Sequence, residues 1–358
     1  MAAAAGQDAL WQCQRKLAGV HVGELLDVSV AAPSSAAAFA ATAGSDGVVA
    51  LWRVDGHAPA SGSAFFAGAG AEAAGAAAAP RPVAVLRGEH ARAVTAVALG
   101  AKGDTLVSAG MDRGVCVWDV ATARVTRRLF GHDGMHTDVL MAGPAGGGGA
   151  QHLLATAGSD ASVCLWDLRS KGARRPVQRM LGFTDAVSRL AFSPRRGCLA
   201  AGCLDGKARV FDMRRGALAT IDAHAGAVRA VAFGPLGELL AVSCGEGELA
   251  GRPQPGVVVV VDAARGGEVL SLDGLRLSDS PTRVAFDPAG RTVVAASASG
   301  EAIAWDASTG AVVGTLRHDP SAAPVDVCAV AMHPNAARRG GPLAVTAGRD
   351  GVACVWAR

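Results

Sequence analysis

Apolar residues alternate with small or polar ones over short runs: Ala93–Leu99 (AVTAVAL), Ala186–Phe192 (AVSRLAF), Ala227–Phe233 (AVRAVAF) and Pro281–Phe286 (PTRVAF). A period of two sends successive side chains to opposite faces, so each run predicts a half-buried β-strand. Turn signals follow at Ser193–Gly197 (SPRRG), Gly234–Glu238 (GPLGE) and Asp287–Arg291 (DPAGR), where proline and glycine preset a reversal. Next comes a pair of strands ending in an aromatic residue, as in Val107–Asp119 (VSAGMDRGVCVWD), and then a fourth strand such as Arg124–Gly131 (RVTRRLFG). The pattern predicts units of four antiparallel strands.

Seven such units stand in the chain, with the aromatic position at Trp52, Trp118, Trp166, Phe211, Val261, Trp305 and Trp356. The successive spacings are 66, 48, 45, 50, 44 and 51 residues. All but the first approach the ~40–45 residues of a propeller blade. The first is stretched by an Ala/Gly-rich segment at about 56–80, which reads as a surface loop. The predicted fold class is therefore all-β: a single seven-bladed β-propeller over residues 11–358, preceded by a flexible N-terminus at 1–10. Since the last unit lacks a fourth strand after Trp356, Trp11–Leu17 (WQCQRKL) is expected to supply it and remove an exposed sheet edge.

The chain resembles the WD40-repeat family over nearly its whole length. The residues that carry the resemblance are Gly131-His132 before a blade, the turns Asp46-Gly47, Asp205-Gly206 and Asp350-Gly351, and Trp-Asp at 118–119, 166–167 and 305–306. Phe183-Thr184, Val261 and Ser299 depart from the pattern in blades four to six. The resemblance implies closure by the N-terminal strand. It also implies structural tetrads of His, Ser/Thr, Asp and Trp: His90, Ser108, Asp112 and Trp118; His132, Thr156, Asp160 and Trp166; His318, Thr346, Asp350 and Trp356. Blade one approximates the set with His21, Thr42 and Asp46.

Ser, His and Asp together also suggest nucleophilic catalysis, but a triad needs one activated nucleophile beside an oxyanion site, whereas this set recurs around the ring. A buried hydrogen-bond chain is the better reading, and no catalytic residue is expected. His90, His132 and His224 occupy equivalent places in different blades and so are kept apart. With no HxxxH or HExxH, no metal site is expected. Gly143–Ala150 (GPAGGGGA) lacks the GK[ST] ending of a phosphate loop. No cofactor and no small-molecule substrate is expected. Fewer than twenty residues precede blade one and heptads are absent, which disfavours a heterotrimeric G-protein β subunit.

Composition narrows the class further. Half the chain is hydrophobic, only 18% is charged and there is no Tyr, which excludes wholesale disorder. A net charge of +3 does not by itself mark a nucleic-acid binder. The eight cysteines form no CxxC and several lie in apolar strands, so buried free thiols and a reducing compartment, cytoplasm or nucleus, are expected. The N-terminus has no signal-peptide core, and no apolar run reaches the ~20 residues of a span, so no membrane insertion is expected.

Propeller rings bind at their faces, so the expected function is a non-catalytic scaffold that docks other proteins within a larger complex. Two alternatives are weighed. One is a substrate receptor of a cullin-RING ubiquitin ligase, through the WDxR-type motifs Trp166-Asp167-Leu168-Arg169 and, loosely, Phe211-Asp212-Met213-Arg214. The other is a ribonucleoprotein scaffold binding RNA. By family position, Glu24, Leu26, Met111, Met135, Leu204, Arg229, Asp326 and Arg349 line the mouth of the channel on the upper face as candidate partner contacts. On the lower face, strand order gathers Arg169, Lys171, Arg174, Arg175, Arg195, Arg196, Arg214 and Arg215 on blades three and four, with only Asp167 and Asp212 nearby. Such a patch suits an acidic protein or the phosphates of RNA.

Overall fold

The structure, a computed structural model, describes residues 11–34, 37–54, 80–143, 152–170, 175–213, 215–222, 226–249, 252–254, 256–275, 282–318, 325–333 and 343–358. The expected flexible N-terminus 1–10 and insertion up to residue 79 lie outside them, as do Lys171, Arg174, Arg214 and His224. The described residues form strands and turns with no helix, in seven antiparallel sheets.

Blade one is β2 (Leu25–Ser34), β3 (Ala37–Gly44), β4 (Val49–Arg53) and β5 (Ala84–Leu86). Blade two is β6 (Val94–Leu99), β7 (Thr105–Gly110), β8 (Val115–Asp119) and β9 (Arg124–Leu129). Blade three is β10 (His136–Ala142), β11 (Leu153–Gly158), β12 (Ser162–Asp167) and the short β13 (Gln178–Met180). Blade four is β14 (Val187–Ser193), β15 (Cys198–Cys203), β16 (Lys207–Asp212) and β17 (Gly216–Asp222). Blade five is β18 (Gly226–Phe233), β19 (Leu239–Leu249), β21 (Val257–Asp262) and β22 (Glu268–Leu272), with β20 (Arg252–Gln254) folded back on β19. Blade six is β23 (Val284–Phe286), β24 (Thr292–Ala296), β25 (Glu301–Asp306) and β26 (Val312–Arg317). Blade seven is β27 (Val327–Met332), β28 (Leu343–Gly348) and β29 (Ala353–Ala357), completed by β1 (Gln12–Leu17).

The antiparallel β1–β29 ladder pairs Cys13 with Trp356 and Leu17 with Ala353, and a bulge lies between Cys13 and Arg15. The ring is thus closed by hydrogen bonds between the two ends of the chain, which leaves blade seven no missing strand. The extension of β19 and its pairing with β20 were not apparent from sequence; they fill the stretch that makes the fifth repeat degenerate.

The core lies between blades. Seven apolar clusters each join two neighbouring blades, so every junction of the ring has its own packed layer. Ala, Val and Leu dominate these layers because opposed sheets sit close and the aromatic position fills the remaining gap: Trp52, Trp166 and Trp305 are almost wholly buried. The small-residue composition is a consequence of this packing. Seven thiols are buried, but Cys13 is exposed, which corrects the expectation for that residue. It sits on an edge strand whose outer face meets solvent.

Candidate functional site

Antiparallel order puts the loops between second and third strands, and between blades, on the upper face, with the other loops on the lower face. On the upper face each tetrad has one chemical logic. In blade two the Trp118 Nε1–H donates to Ser108 Oγ (2.8 Å), Ser108 meets His90 Nε2 (2.8 Å), and His90 Nδ1 meets both oxygens of Asp112 (3.0 and 3.1 Å). Only the Nδ1–H tautomer satisfies every member. Asp112 then caps the turn by accepting from the Ala91 and Gly114 amides.

Blade three repeats this chain through Trp166, Thr156, His132 and Asp160 (2.9, 3.0 and 2.9 Å). Ser162 and Arg179 also donate to Asp160 there, each at 2.8 Å. Burial alone would raise Asp160, but the hydrogen bonds from His132 and Ser162 outweigh it and hold the carboxyl down to about 2. Blade one is complete rather than approximate: Trp52 and His21 both meet Thr42 Oγ1 (2.9 Å each), and His21 reaches Asp46 at 3.2 Å. Blade seven is the loosest. Thr346 meets His318 (2.6 Å) and Trp356 (2.8 Å), but Asp350 stands 3.7 Å from the imidazole.

Blades four and six solve the same problem differently. Phe183 packs against Phe211 (6.0 Å between centroids), and the Arg209 guanidinium lies 5.0 Å over the Phe183 ring. Arg209 also clasps Asp205 through both terminal nitrogens (2.8 and 3.2 Å), while Thr184 donates to Asp205 at 2.9 Å. The turn aspartate is retained and its histidine is replaced by an arginine from the third strand. In blade six Trp305 donates to the Asp273 carbonyl (3.1 Å), and Ser297 and Ser299 pair at 2.8 Å.

The sequence reading missed the channel. Asp27, Asp138, Arg189 and Arg283 occupy one register position on the inner strands of blades one, three, four and six, where Ala96, Ala230 and Ala329 stand in the others. Arg283 bridges both acids, at 2.5 and 2.7 Å to Asp27 and 2.7 Å to Asp138; Arg189 meets Asp138 at 3.2 Å. The carboxylates also accept the Val97 and Leu190 amides of the following blades (2.9 and 2.7 Å). The four side chains form a neutral plug, in which Asp27, Asp138 and Arg189 are buried and Arg283 is half-buried. Aligning the inner strands and asking which place charge among alanines would have found it.

One residue nearer the mouth, hydroxyl and thiol groups staple blade to blade. Thr95 donates to the His136 carbonyl (2.7 Å), Thr137 to Val187 (2.5 Å), Ser188 to Val228 (2.7 Å) and Cys328 to Leu25 (2.8 Å). Leu26 and Arg229 hold the same position in blades one and five. Of the other candidate upper-face residues, Met111 and Met135 are exposed and Leu204 is half-buried. Arg349 lies 3.7 Å from Glu24 and 3.8 Å from Asp326, which brings these three together across the blade seven–one junction.

On the lower face the basic group is smaller than its sequence implied. Arg169 is bound by Asp167 through both its Nε and Nη2 (2.7 Å at the shortest), and Arg196 stands 3.5 Å from Glu238, an acid from blade five's loop that the sequence reading left out. Arg175, Arg195 and Arg215 are exposed, and no ion pair joins them to an acid among the described residues. Arg215 lines a groove of about 420 Å³ between blades three and four. Leu165, Met180, Leu181, Phe211, Met213 and Arg215 are among its lining residues. Val177 and Leu181 are each 68% exposed along it, and Leu218 follows on the next strand at 47%.

Residues 80–119, 174–212 and 216–249 match the family model of the WD domain, G-beta repeat. With seven four-stranded blades and their repeated polar locks, that decides the family. The chain belongs to the WD40-repeat family. No curated protein matches the chain. A WD40 propeller fits a protein-interaction scaffold in general, and such propellers are generally non-catalytic. The recurring Ser/Thr-His-Asp sets of this WD40 chain are spent on Trp indoles and turn amides, which gives them a structural use in every blade that carries them.

Proposed function

We propose that this WD40 protein is a non-catalytic subunit of a larger assembly, and that it docks an acidic partner segment on the lower face of blades three and four. The observation that carries the reading is a groove lined by Arg215 together with Leu165, Met180, Leu181, Phe211 and Met213, on blades that also expose Arg175, Arg195 and Val177. Singly exposed apolar residues are ordinary; a line of them beside a concave surface and exposed cations suits a peptide that alternates apolar anchors with acids. The arginines would speed encounter and fix orientation, while burial of the anchors would slow release. The upper face supports docking less, since Arg349, Glu24 and Asp326 already answer one another and the channel behind them is filled.

A ubiquitin-ligase receptor role draws on Arg169, but the Asp167 clasp engages that guanidinium, and Arg214 of the second motif lies outside the described residues. RNA binding would use the same cations but has no use for the exposed Val177, Leu181 and Leu218. The buried thiols suit a cytoplasmic or nuclear setting. The test is affinity purification from the native source with Arg175→Glu, Arg195→Glu and Arg215→Glu combined. The partner set should be lost while circular dichroism and melting temperature are unchanged; retention of every wild-type partner would overturn the assignment.

A further inference from the structure

Cys13 and Cys354 stand on the two strands whose pairing closes the ring. Cys13 is opposite Trp356, and Cys354 lies two residues from Trp356 on β29, so the two cysteines are diagonal neighbours on one face of the β1–β29 ladder. Cys13 is exposed and Cys354 is fully buried. Lys16 faces Cys354 across the ladder, so a cation stands beside the pair. The bulge between Cys13 and Arg15 interrupts the regular register between the two positions, and it gives the edge strand slack to draw the sulfurs to the ~2.05 Å of a disulfide.

We propose that Cys13 and Cys354 are a reversible oxidation site, whose disulfide, formed by a peroxide, fastens β1 to β29 and locks the propeller shut. Cys13 is the attacking sulfur because it alone is open to solvent. Its thiol is held down to about 7, first by the hydrogen bond from Cys354 and further by Lys16, against the opposing effect of burial. Cys354 is pushed up by that same hydrogen bond and by burial, so it waits as the protonated partner. The Cys13 thiolate attacks one peroxide oxygen, the O–O bond breaks, and hydroxide leaves and takes up a proton as water. Cys13 is now a sulfenic acid. The Cys354 sulfur attacks the Cys13 sulfur, its proton goes to the departing hydroxyl, and a second water leaves as the S–S bond forms. Two thiols give up two electrons, which reduce one peroxide to two waters. A dithiol reductant reverses the step by exchange.

The consequence is mechanical. The bridge closes a loop that includes almost every residue between the first and last strands, so it opposes the opening of the ring at its seam. The experiment treats the full chain with stoichiometric hydrogen peroxide or with a phosphine reductant, and compares wild type with Cys13→Ser. Non-reducing peptide mapping reads the linkage, thiol titration the loss, and calorimetry the melting temperature. Wild type should lose two thiols, yield one linked peptide pair containing residues 13 and 354, and melt about 5 °C higher when oxidised. Cys13→Ser changes an exposed position and should keep its fold, lose no thiol and show no shift. The rate of thiol loss should rise with pH through about 7. Oxidation of Cys13 to sulfinic acid without a link, a link to any other cysteine, or an equal thiol loss in Cys13→Ser would each overturn the proposal.

Discussion

Blades three and four are adjacent, share an apolar junction and follow the same strand order, yet they secure their upper turns by opposite means. Blade three runs a polar chain from Trp166 through Thr156 and His132 to Asp160. Blade four packs Phe183 against Phe211 at a tilt and brings Arg209 over the Phe183 ring to hold Asp205. Only the turn carboxylate is common to both. What the repeat requires is therefore an acceptor for the turn amides, kept charged by one donor on its inner side; imidazole and guanidinium both serve. Arg209 holds Asp205 below the usual carboxylate range together with Cys203 and Thr184, although burial works the other way. The turn itself is shared too: Ala161 in blade three and Gly206 in blade four both adopt positive φ, at 57° and 83°.

The two blades also meet at the channel, where Asp138 of one faces Arg189 of the other. Breaking that contact should have the largest effect. Asp138→Ala takes from Arg189 its nearer counter-ion, leaving only Asp27 at 4.0 Å, and from Arg283 one of its two acids, at a cost of about 3–5 kcal/mol in urea unfolding. Next comes Thr156→Val in blade three. It removes the hydroxyl that accepts from Trp166 and donates to His132, and two buried groups lose their partner, so about 2–3 kcal/mol should be lost. Blade four has Ala201 at the matching register and no such dependence.

Acid should separate the blades as well. His136 of blade three is pushed down to about 4, mainly by burial and then by the nearby His132, whereas blade four has Val187 in that place. An unfolded chain protonates this histidine near its ordinary 6.5, so the unfolded state binds more protons below that pH. The contribution is full above 6.5 and declines as pH falls toward about 4, by roughly 3 kcal/mol. His136→Val should flatten that part of the stability profile. An unchanged slope would place the acid sensitivity elsewhere.

These contrasts also explain what could be read from the chain. The Trp positions, the Asp-Gly turns and the seam strand were visible because they repeat, and repetition reveals which residues share a role. Arg209 was hidden because it has no counterpart in the tetrad blades; its offset of four from Asp205, with both side chains on one face, was the available signal. The plug was hidden for a stronger reason. Asp27 and Arg283 are 256 residues apart and meet only because the ring closes. On the lower face, loop arithmetic counted the arginines but could not weigh each against its own acid. Asp167 and Glu238 take two of them, and the groove beside the remainder is formed by side chains of two blades.

The central functional claim is that charge and the groove act together on one ligand. The direct measurement is fluorescence anisotropy with a labelled peptide of alternating Leu and Glu, its Lys-for-Glu counterpart, and a uridine oligonucleotide. The wild-type chain should bind the Leu/Glu peptide most tightly, with affinity that falls as salt rises. Met213→Glu in the groove and the Arg175→Glu, Arg195→Glu, Arg215→Glu combination should each weaken it by about tenfold or more. Equal binding of the Lys peptide, tighter binding of the oligonucleotide, or indifference to Met213→Glu would contradict the account.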